Sequence, residues 1–322
     1  MSVVITGGTG FVGLAVTEAL KQANYEVVLF GCGAVPARFS AEFGNVPFVA
    51  GDVTNSGDID RLFASTETQA VIHLAAVTPD REAEINDPAA VIAVNVAGTA
   101  NLMRSIARLS PRPRLILASS VAVYGEAAPQ TGTYREDEFI PSPISLYGIT
   151  KLAAEATAIR LAKLYEIDLT IVRLGPVYGP WEYKTGLRPV LSPHAQVVEL
   201  WQQGENVVLP RALKGDWLYS RDAGAGIAAI LGAKALNHTV YNLGGGKISS
   251  VADWCEDLQS LPGRRDWKIA DIGERPNLTF GLAADRAPLD IERLAADTGF
   301  RPALSGRPVT EDYLRWLSSV NG

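Results

Sequence analysis

A tyrosine and a lysine stand four residues apart in the run Tyr147-Gly148-Ile149-Thr150-Lys151. On a helix this spacing puts both side chains on one face, a turn apart. A phenol with an ordinary pKa of ~10 is a poor base near neutral pH, and a neighbouring ammonium favours its phenolate. Tyr147 could then take the proton of a substrate hydroxyl, with Lys151 as its electrostatic partner. Ser119-Ser120 adds hydroxyls that could orient the reacting oxygen. Alone, a tyrosine–lysine pair is a common accident of helix faces, so the elements around it carry the weight.

The chain opens with such an element. Gly7-Gly8-Thr9-Gly10-Phe11-Val12-Gly13 lies between an apolar run and a helical pattern. Glycines are needed there for a tight turn, for backbone approach to a pyrophosphate and for helix–strand packing. The helix N-terminus then offers free N–H groups to phosphates. With a dinucleotide so placed, hydride can leave the carbon whose hydroxyl Tyr147 deprotonates, and a positive nicotinamide ring further favours the phenolate. An acidic residue ordinarily ends the second strand and binds the adenosine ribose. Here Phe30 is followed by Gly31-Cys32-Gly33. The usual repulsion of a 2′-phosphate is gone, and Arg38 could either meet one or stand as a solvated loop residue. The cofactor is therefore NAD or NADP, and the missing acid tips the expectation toward NADP. Asp52 could accept from the adenine amino group or cap a turn.

The pattern of the first half supplies the frame. Short apolar runs at Val3–Thr6, Tyr25–Phe30, Val46–Ala50, Ala70–Leu74, Arg114–Ala118 and Leu169–Arg173 read as strands. They are continuous rather than alternating, as strands buried on both faces are. Helical patterns separate them, notably Phe11–Ala23, one helix from Asp87-Pro88 to about Leu109, and another from Ser145 to about Glu166. This predicts an α/β fold with a Rossmann-type doubly wound parallel sheet. Ser119-Ser120 then falls at the carboxyl edge of the sheet, where ligands bind. After Gly175, Pro and Gly become frequent and elements short, which predicts a smaller mixed C-terminal substrate lobe. The expected division is a dinucleotide-binding domain over 1–175, rejoined by about 214–243. The substrate lobe takes 176–213 and 244–322.

Composition sets outer limits. The 322 residues are 47% hydrophobic and 20% charged, with net charge -6. An acidic chain without a Lys/Arg stripe is a poor nucleic-acid binder. No apolar run approaching the ~20 residues of a membrane span is expected. The N-terminus enters a strand at once, without the basic region of a signal peptide, so a cytoplasmic enzyme is expected. Cys32 and Cys255 are read as free thiols, and His73, His194 and His238 lack ligand-like spacing, so no metal is expected.

These motifs, taken together, resemble the extended short-chain dehydrogenase/reductase superfamily in its NAD-dependent epimerase/dehydratase branch. Further segments carry the resemblance: Gly51-Asp52-Val53, His73-Leu74-Ala75-Ala76 and Asn95-Val96-Ala97-Gly98-Thr99. So do Ser120-Val121-Ala122-Val123-Tyr124-Gly125, Arg173 to Pro180, Asp216 to Ala223, Tyr241 to Gly246 and Arg275-Pro276. The resemblance implies Ser120, rather than Ser119, as the catalytic serine beside Tyr147 and Lys151. It implies that Asp52 and Val53 meet the adenine and that Ala75, Ala76 and Asn95 line the cofactor path. Gly7, Gly10, Phe11, Val12, Gly13, Gly31, Leu74 and Pro176 complete that path, and Lys151 also binds the nicotinamide ribose. Thr78, Val121 and Arg275 join Ser120 and Tyr147 as substrate contacts, with an inter-lobe salt bridge the other reading of Arg275.

Departures from the family pattern narrow the reading. Dehydratases carry an Asp-Glu pair directly after the catalytic hydroxyl, where this chain has Val121-Ala122. Many nucleotide-sugar members have Asn at the position of Pro176 and Arg at that of Gly215. The leading expectation is hydride transfer at a secondary hydroxyl of a sugar or nucleotide-sugar, most simply by an epimerase. The alternatives are a dehydrogenase or reductase of a small polyol, sugar acid or lactol, and a non-catalytic NAD(P)-binding protein. Residues 181–184 and 192–194 are candidate specificity residues, with His194 either an acid–base group or a packed histidine. Trp201, Trp217 and Trp254 are read as packing. Family members often pair two long helices into a homodimer. Ile92, Val96, Ile159 and Leu161 would permit it but equally suit burial on the chain's own sheet.

Overall fold

The computed structural model describes residues 1–125, 132–138, 140–259, 265–280, 285–303 and 306–321. Its centre is a seven-stranded sheet. The strands are β1 (Ser2–Thr6), β2 (Val27–Gly31), β3 (Phe48–Ala50), β4 (Thr68–His73), β5 (Arg114–Ser120), β6 (Leu169–Leu174) and, much later in the chain, Val240–Leu243. All pair in parallel, in the order Val240–Leu243, β6, β5, β4, β1, β2, β3. The register sets Ile5 opposite both Leu29 and Ile72. Order reverses between β1 and β4, which opens a crevice at the carboxyl ends of those two strands.

Alternate side chains of each strand enter opposite cores, as the pleat requires. Val3 and Ile5 pack with Leu14, Val16 and Leu20 of α1 (Phe11–Gln22) and with Ile227 and Ile230 of the helix Ser220–Gly232. Val4 and Val71 pack on the other face with Ile59, Leu62, Leu102, Met103, Ala158 and Ala162. Those come from helices Ser56–Ser65, Gly98–Ile106 and Leu146–Tyr165. Each fully buried aliphatic side chain contributes roughly 1.5–3 kcal/mol, so the double burial explains why the strand sequences are unbroken apolar runs.

The helix expected from Asp87 to Leu109 is interrupted. Pro88–Ile92 is α-helical, Ala93–Ala97 forms a π-helical turn, and Gly98–Ile106 resumes the α-helix. Such a turn adds a residue to the helix and often marks a functional site. The run Pro88–Ile106 also has the length and hydropathy of a membrane span, at 19 residues and mean hydropathy 1.3, which corrects the expectation that no segment would. Here Val91, Leu102, Met103 and Ile106 are buried against the chain's own fold. Of the four residues named for helix pairing, Ile159 and Leu161 pack on the second core, Val96 is partly buried, and Ile92 is 48% exposed.

Beyond β6 a smaller lobe has its own core of Tyr178, Val197, Trp201, Val207, Trp217, Trp254 and Tyr313. Short strand pairs, Val207–Leu209 with Trp267–Ile269 and Lys214–Gly215 with Ser249–Ser250, frame it. The three tryptophans are packing residues, and Cys255 is buried beside them while Cys32 is exposed and unpaired.

Candidate active site

A cavity of about 530 Å³ opens at the crevice between β1 and β4, within the range of small-molecule sites. The loop from Gly7 to Gly13 forms its floor, with Gly7, Gly10, Phe11, Val12 and Gly13 in the wall. Gly7 has φ +67°, and a Cβ there would stand 2.7 Å from the Ala75 backbone nitrogen. Only glycine lets the loop lie this close to the chain leaving β4, whose Leu74, Ala75, Ala76 and Thr78 form the next stretch of wall. Gly31, Asp52 and Val53 close the far end, and Pro176 the near side.

These residues fit a dinucleotide. A Cβ on Gly31 would meet nothing nearer than Thr9 Oγ1 at 3.5 Å, so that end is a smooth cradle. The amide groups at the start of α1 have no side-chain cap at Gly10 and remain available to phosphates. Asp52 lines the cavity and also closes a turn, its Oδ1 accepting from the Thr54 N–H at 2.8 Å, so its two readings are compatible. Arg38 serves neither of its expected roles. Its guanidinium stacks 3.9 Å from the Trp316 ring and donates to the Trp316 carbonyl at 2.7 Å. Among the described wall residues, no lysine or arginine stands beside Gly31 and Gly33.

The catalytic groups meet because two elements approach closely. Ser145 caps the helix Leu146–Tyr165, its Oγ accepting from the Gly148 N–H at 3.1 Å. Ser120 ends β5, and its Oγ accepts from the Ala122 N–H at 3.1 Å, which leaves the hydroxyl proton free to donate. A Cβ on Gly148 would lie 2.6 Å from the Ala122 carbonyl oxygen, so glycine permits the contact that faces Ser120 toward Tyr147. Ser120 and Thr78 both stand against the Tyr147 phenol as hydrogen-bonding groups. Burial raises the Tyr147 pKa, and Ser120, the charge of Arg188 and Thr78 oppose the rise. Lys151 lies with its Nζ 5.9 Å from the Tyr147 ring centre and donates to the Ala118 carbonyl at 2.8 Å. Burial pushes Lys151 down to about 8, with Glu155 pulling it back up.

Three expected contacts lie elsewhere. Asn95 is 2% exposed and sits behind the wall. The π-helical turn aims its amide inward, where Oδ1 accepts from the Val77 N–H at 2.8 Å. Its Nδ2 donates to the Val77 carbonyl at 3.1 Å and to Thr150 Oγ1 at 3.0 Å. Asn95 thus clamps the wall segment to the catalytic helix rather than lining the cofactor path. Val121 packs into a small core with Val123, Tyr124, Tyr134, Leu289 and Ile291 and is outside the described cavity wall. Arg275 is exposed and outside the described cavity wall.

Residues 183–188, of which the sequence singled out only Tyr183 and Lys184, cross the cavity as a strap. Tyr183, Thr185, Gly186, Leu187 and Arg188 all line it. The Tyr183 hydroxyl donates to the Thr9 carbonyl at 2.5 Å, and the Thr78 N–H donates to the Leu187 carbonyl at 2.9 Å. Arg188 lies 4.8 Å over the Phe11 ring and pairs with Glu182 at 2.6 Å. Glu182 is buried and also accepts from the Ser192 N–H and hydroxyl, at 2.7 and 2.6 Å. Trp181 anchors the strap with a left-handed φ of +72°, uncommon outside glycine, and donates its indole N–H to Glu18 at 2.6 Å. Lys184 pairs with Glu199 at the surface. Ser192 caps the helix Pro193–Gln202. His194 is buried, stacked 3.8 Å from Tyr178, and held neutral with its pKa pushed down to about 3 by burial. It is a packed histidine.

A glycine loop, a strand-end serine and a tyrosine–lysine pair therefore share one cleft with the β1/β4 crevice. A profile of the NAD dependent epimerase/dehydratase family matches residues 3–244. The chain belongs to this family. It is an NAD(P)-dependent enzyme on an extended short-chain dehydrogenase fold. Among curated relatives, UDP-glucuronate 4-epimerase 1 of Arabidopsis thaliana is 34% identical over 353 residues, covering 100% of this chain and 78% of that protein. UDP-glucuronate 4-epimerase of Thermodesulfobacterium geofontis is 29% identical over 276 residues, 81% of each chain. The solved UDP-glucuronic acid 4-epimerase of Bacillus cereus in complex with NAD superposes with TM-score 0.78 at 23% identity, over 98% of this chain and 99% of that one. That last likeness bears on the fold.

Proposed function

We propose that this family member is a nucleotide-sugar epimerase that keeps NAD through turnover. The observation that carries the reading is the strap. It is fastened to the glycine loop through Tyr183 and to the wall after β4 through Leu187, so the chain itself crosses the cofactor groove. A dehydrogenase must exchange cofactor in every cycle, whereas an epimerase regenerates it in place. Among the described wall residues no cation stands beside Gly31, which favours NAD over its 2′-phosphate form.

In this reading Ser120 holds the substrate oxygen and Tyr147 removes its proton. Bound nicotinamide supplies the hydride acceptor and then the donor. Tyr147 returns the proton after the ketone has turned its other face. Elimination of water has no support, because Asp52, at the adenine end, is the only carboxylate in the described wall. Arg188, paired with Glu182, is the one cation in the described wall besides Lys151, and its charge reaches the Tyr147 phenol. With UDP-glucuronate epimerases among the relatives, this favours a sugar bearing a carboxylate.

The test is incubation with UDP-glucuronate and, separately, UDP-glucose, without added cofactor, followed by separation of epimers. The uronate is expected to turn over with about ten-fold or greater advantage in kcat/KM, the worth of a charge-assisted hydrogen bond. Arg188→Leu should remove that advantage. Failure to epimerise either sugar, with reduced cofactor released instead, would favour the dehydrogenase alternative.

A further inference from the structure

The helix that carries Tyr147 and Lys151 places a third group at the same spacing. Glu155 lies one turn beyond Lys151 and is 2% exposed. Its carboxylate is gripped from two strands. Arg173 of β6 donates Nε to Oε1 at 3.0 Å and Nη2 to Oε2 at 2.7 Å. Ser119 of β5 donates Oγ to Oε1 at 2.5 Å. Ser119 stands between Ala118, whose carbonyl receives Lys151, and Ser120. One buried carboxylate thus ties the helix bearing Tyr147 and Lys151 to the strand bearing Ser120 and the Lys151 acceptor.

The charged and titratable groups around this tie are few. Lys151 has no carboxylate in direct contact among the described residues, and Glu155 is the anion that acts on it. His73 faces Lys151 from β4 and is neutral, bonded to Thr6 and Thr99. Arg188 faces Tyr147 from the strap. Arg173 and Tyr124, joined at 3.1 Å, lie on the far side of Glu155. A buried ion pair contributes little net stability compared with apolar packing, so stability alone does not account for its place beneath the reacting groups.

We propose that Glu155 is a positioning residue of the reaction. Through Ser119 it fixes Ser120 against Tyr147, and its charge, counterpoised by Arg173, faces the Lys151 ammonium beside the phenol. The inference holds whether the hydride is returned or released. A carboxylate near the pair favours the proton on both phenol and ammonium, and a guanidinium disfavours it. Removing the carboxylate charge therefore moves both limbs of the pH profile to lower pH. Removing the guanidinium moves both to higher pH. A purely architectural pair would lower the height of the profile and leave its limbs in place.

The experiment measures kcat/KM against pH for Glu155→Gln, Arg173→Met and the double variant. It also titrates the Tyr147 phenol in apoprotein by ultraviolet difference against Tyr147→Phe, which needs neither cofactor nor substrate. Both limbs and the phenol should move down by about one unit in Glu155→Gln, a ten-fold change in protonation ratio. They should move up in Arg173→Met and return in the double variant. Movement of both single variants in one direction, or loss of height without movement, would overturn the proposal. Ser119→Ala keeps both charges and decides the case should an unpaired charge prevent folding. Its kcat is expected to fall about ten-fold, the loss of a charge-assisted hydrogen bond, with KM and limbs unchanged. An unaltered kcat would overturn the tie.

Discussion

A phenol is protonated at neutral pH, and burial makes Tyr147 harder still to ionise. What opposes this is local: the Ser120 hydroxyl, the charge of Arg188 and the Thr78 hydroxyl, with the Lys151 ammonium 5.9 Å from the ring. Lys151 is itself weakened by burial, to about 8. Its ammonium, and so its help to the phenolate, is present below that pH and lost above it. The expected outcome is that kcat/KM stops rising near pH 8, because above it each further phenolate is gained as an ammonium is lost. A profile still rising at pH 10 would remove Lys151 from the electrostatic account. At this scale sequence is most informative where chemistry depends on short spacing. Tyr147 and Lys151 share a helix face, and the glycine loop is contiguous. Arg188 and Arg173 reach the site only through folding. Glu155 repeats the four-residue interval of the pair, a signal that spacing alone could have raised. Val121 and Arg275 match family positions, but the former's side chain enters a core and the latter is exposed.

The strap and the π-helical turn are features of elements. Strand and helix patterns are legible because buried parallel strands demand unbroken apolar runs and their helices a 3.6-residue period. The π-helical turn leaves that period nearly intact, so Asp87–Leu109 reads as one helix although Asn95 is turned inward to Val77 and Thr150. The strap has no period at all. Its hold on the groove includes one phenol–carbonyl bond and one backbone bond, and sequence is silent on both. Tyr183→Phe removes the bond to Thr9 while keeping the ring. A typical hydrogen bond contributes about 1 kcal/mol, so NAD should dissociate about five-fold faster from the variant, measured by dilution into excess competitor. An unchanged rate would mean that the strap does not hold the cofactor.

For the whole molecule, the parallel sheet at the centre and the Pro- and Gly-rich change after Gly175 announce two unlike parts. The strand Val240–Leu243 returns to the sheet edge beside β6, and the helix before it packs against α1. The smaller lobe is harder to read. Its strands are two or three residues long, and its core is drawn from segments between Tyr178 and Tyr313. Long-range aromatic packing of this kind leaves little local pattern. The lobe supplies the strap, on which the proposal of a retained cofactor rests. The most direct measurement is to denature freshly purified protein and identify the nucleotide it releases by chromatography and absorbance. Close to one equivalent of NAD per chain is the expected result. A protein that emerges empty and then binds NADP or NADPH more tightly than NAD would contradict the account and point to a dehydrogenase or reductase.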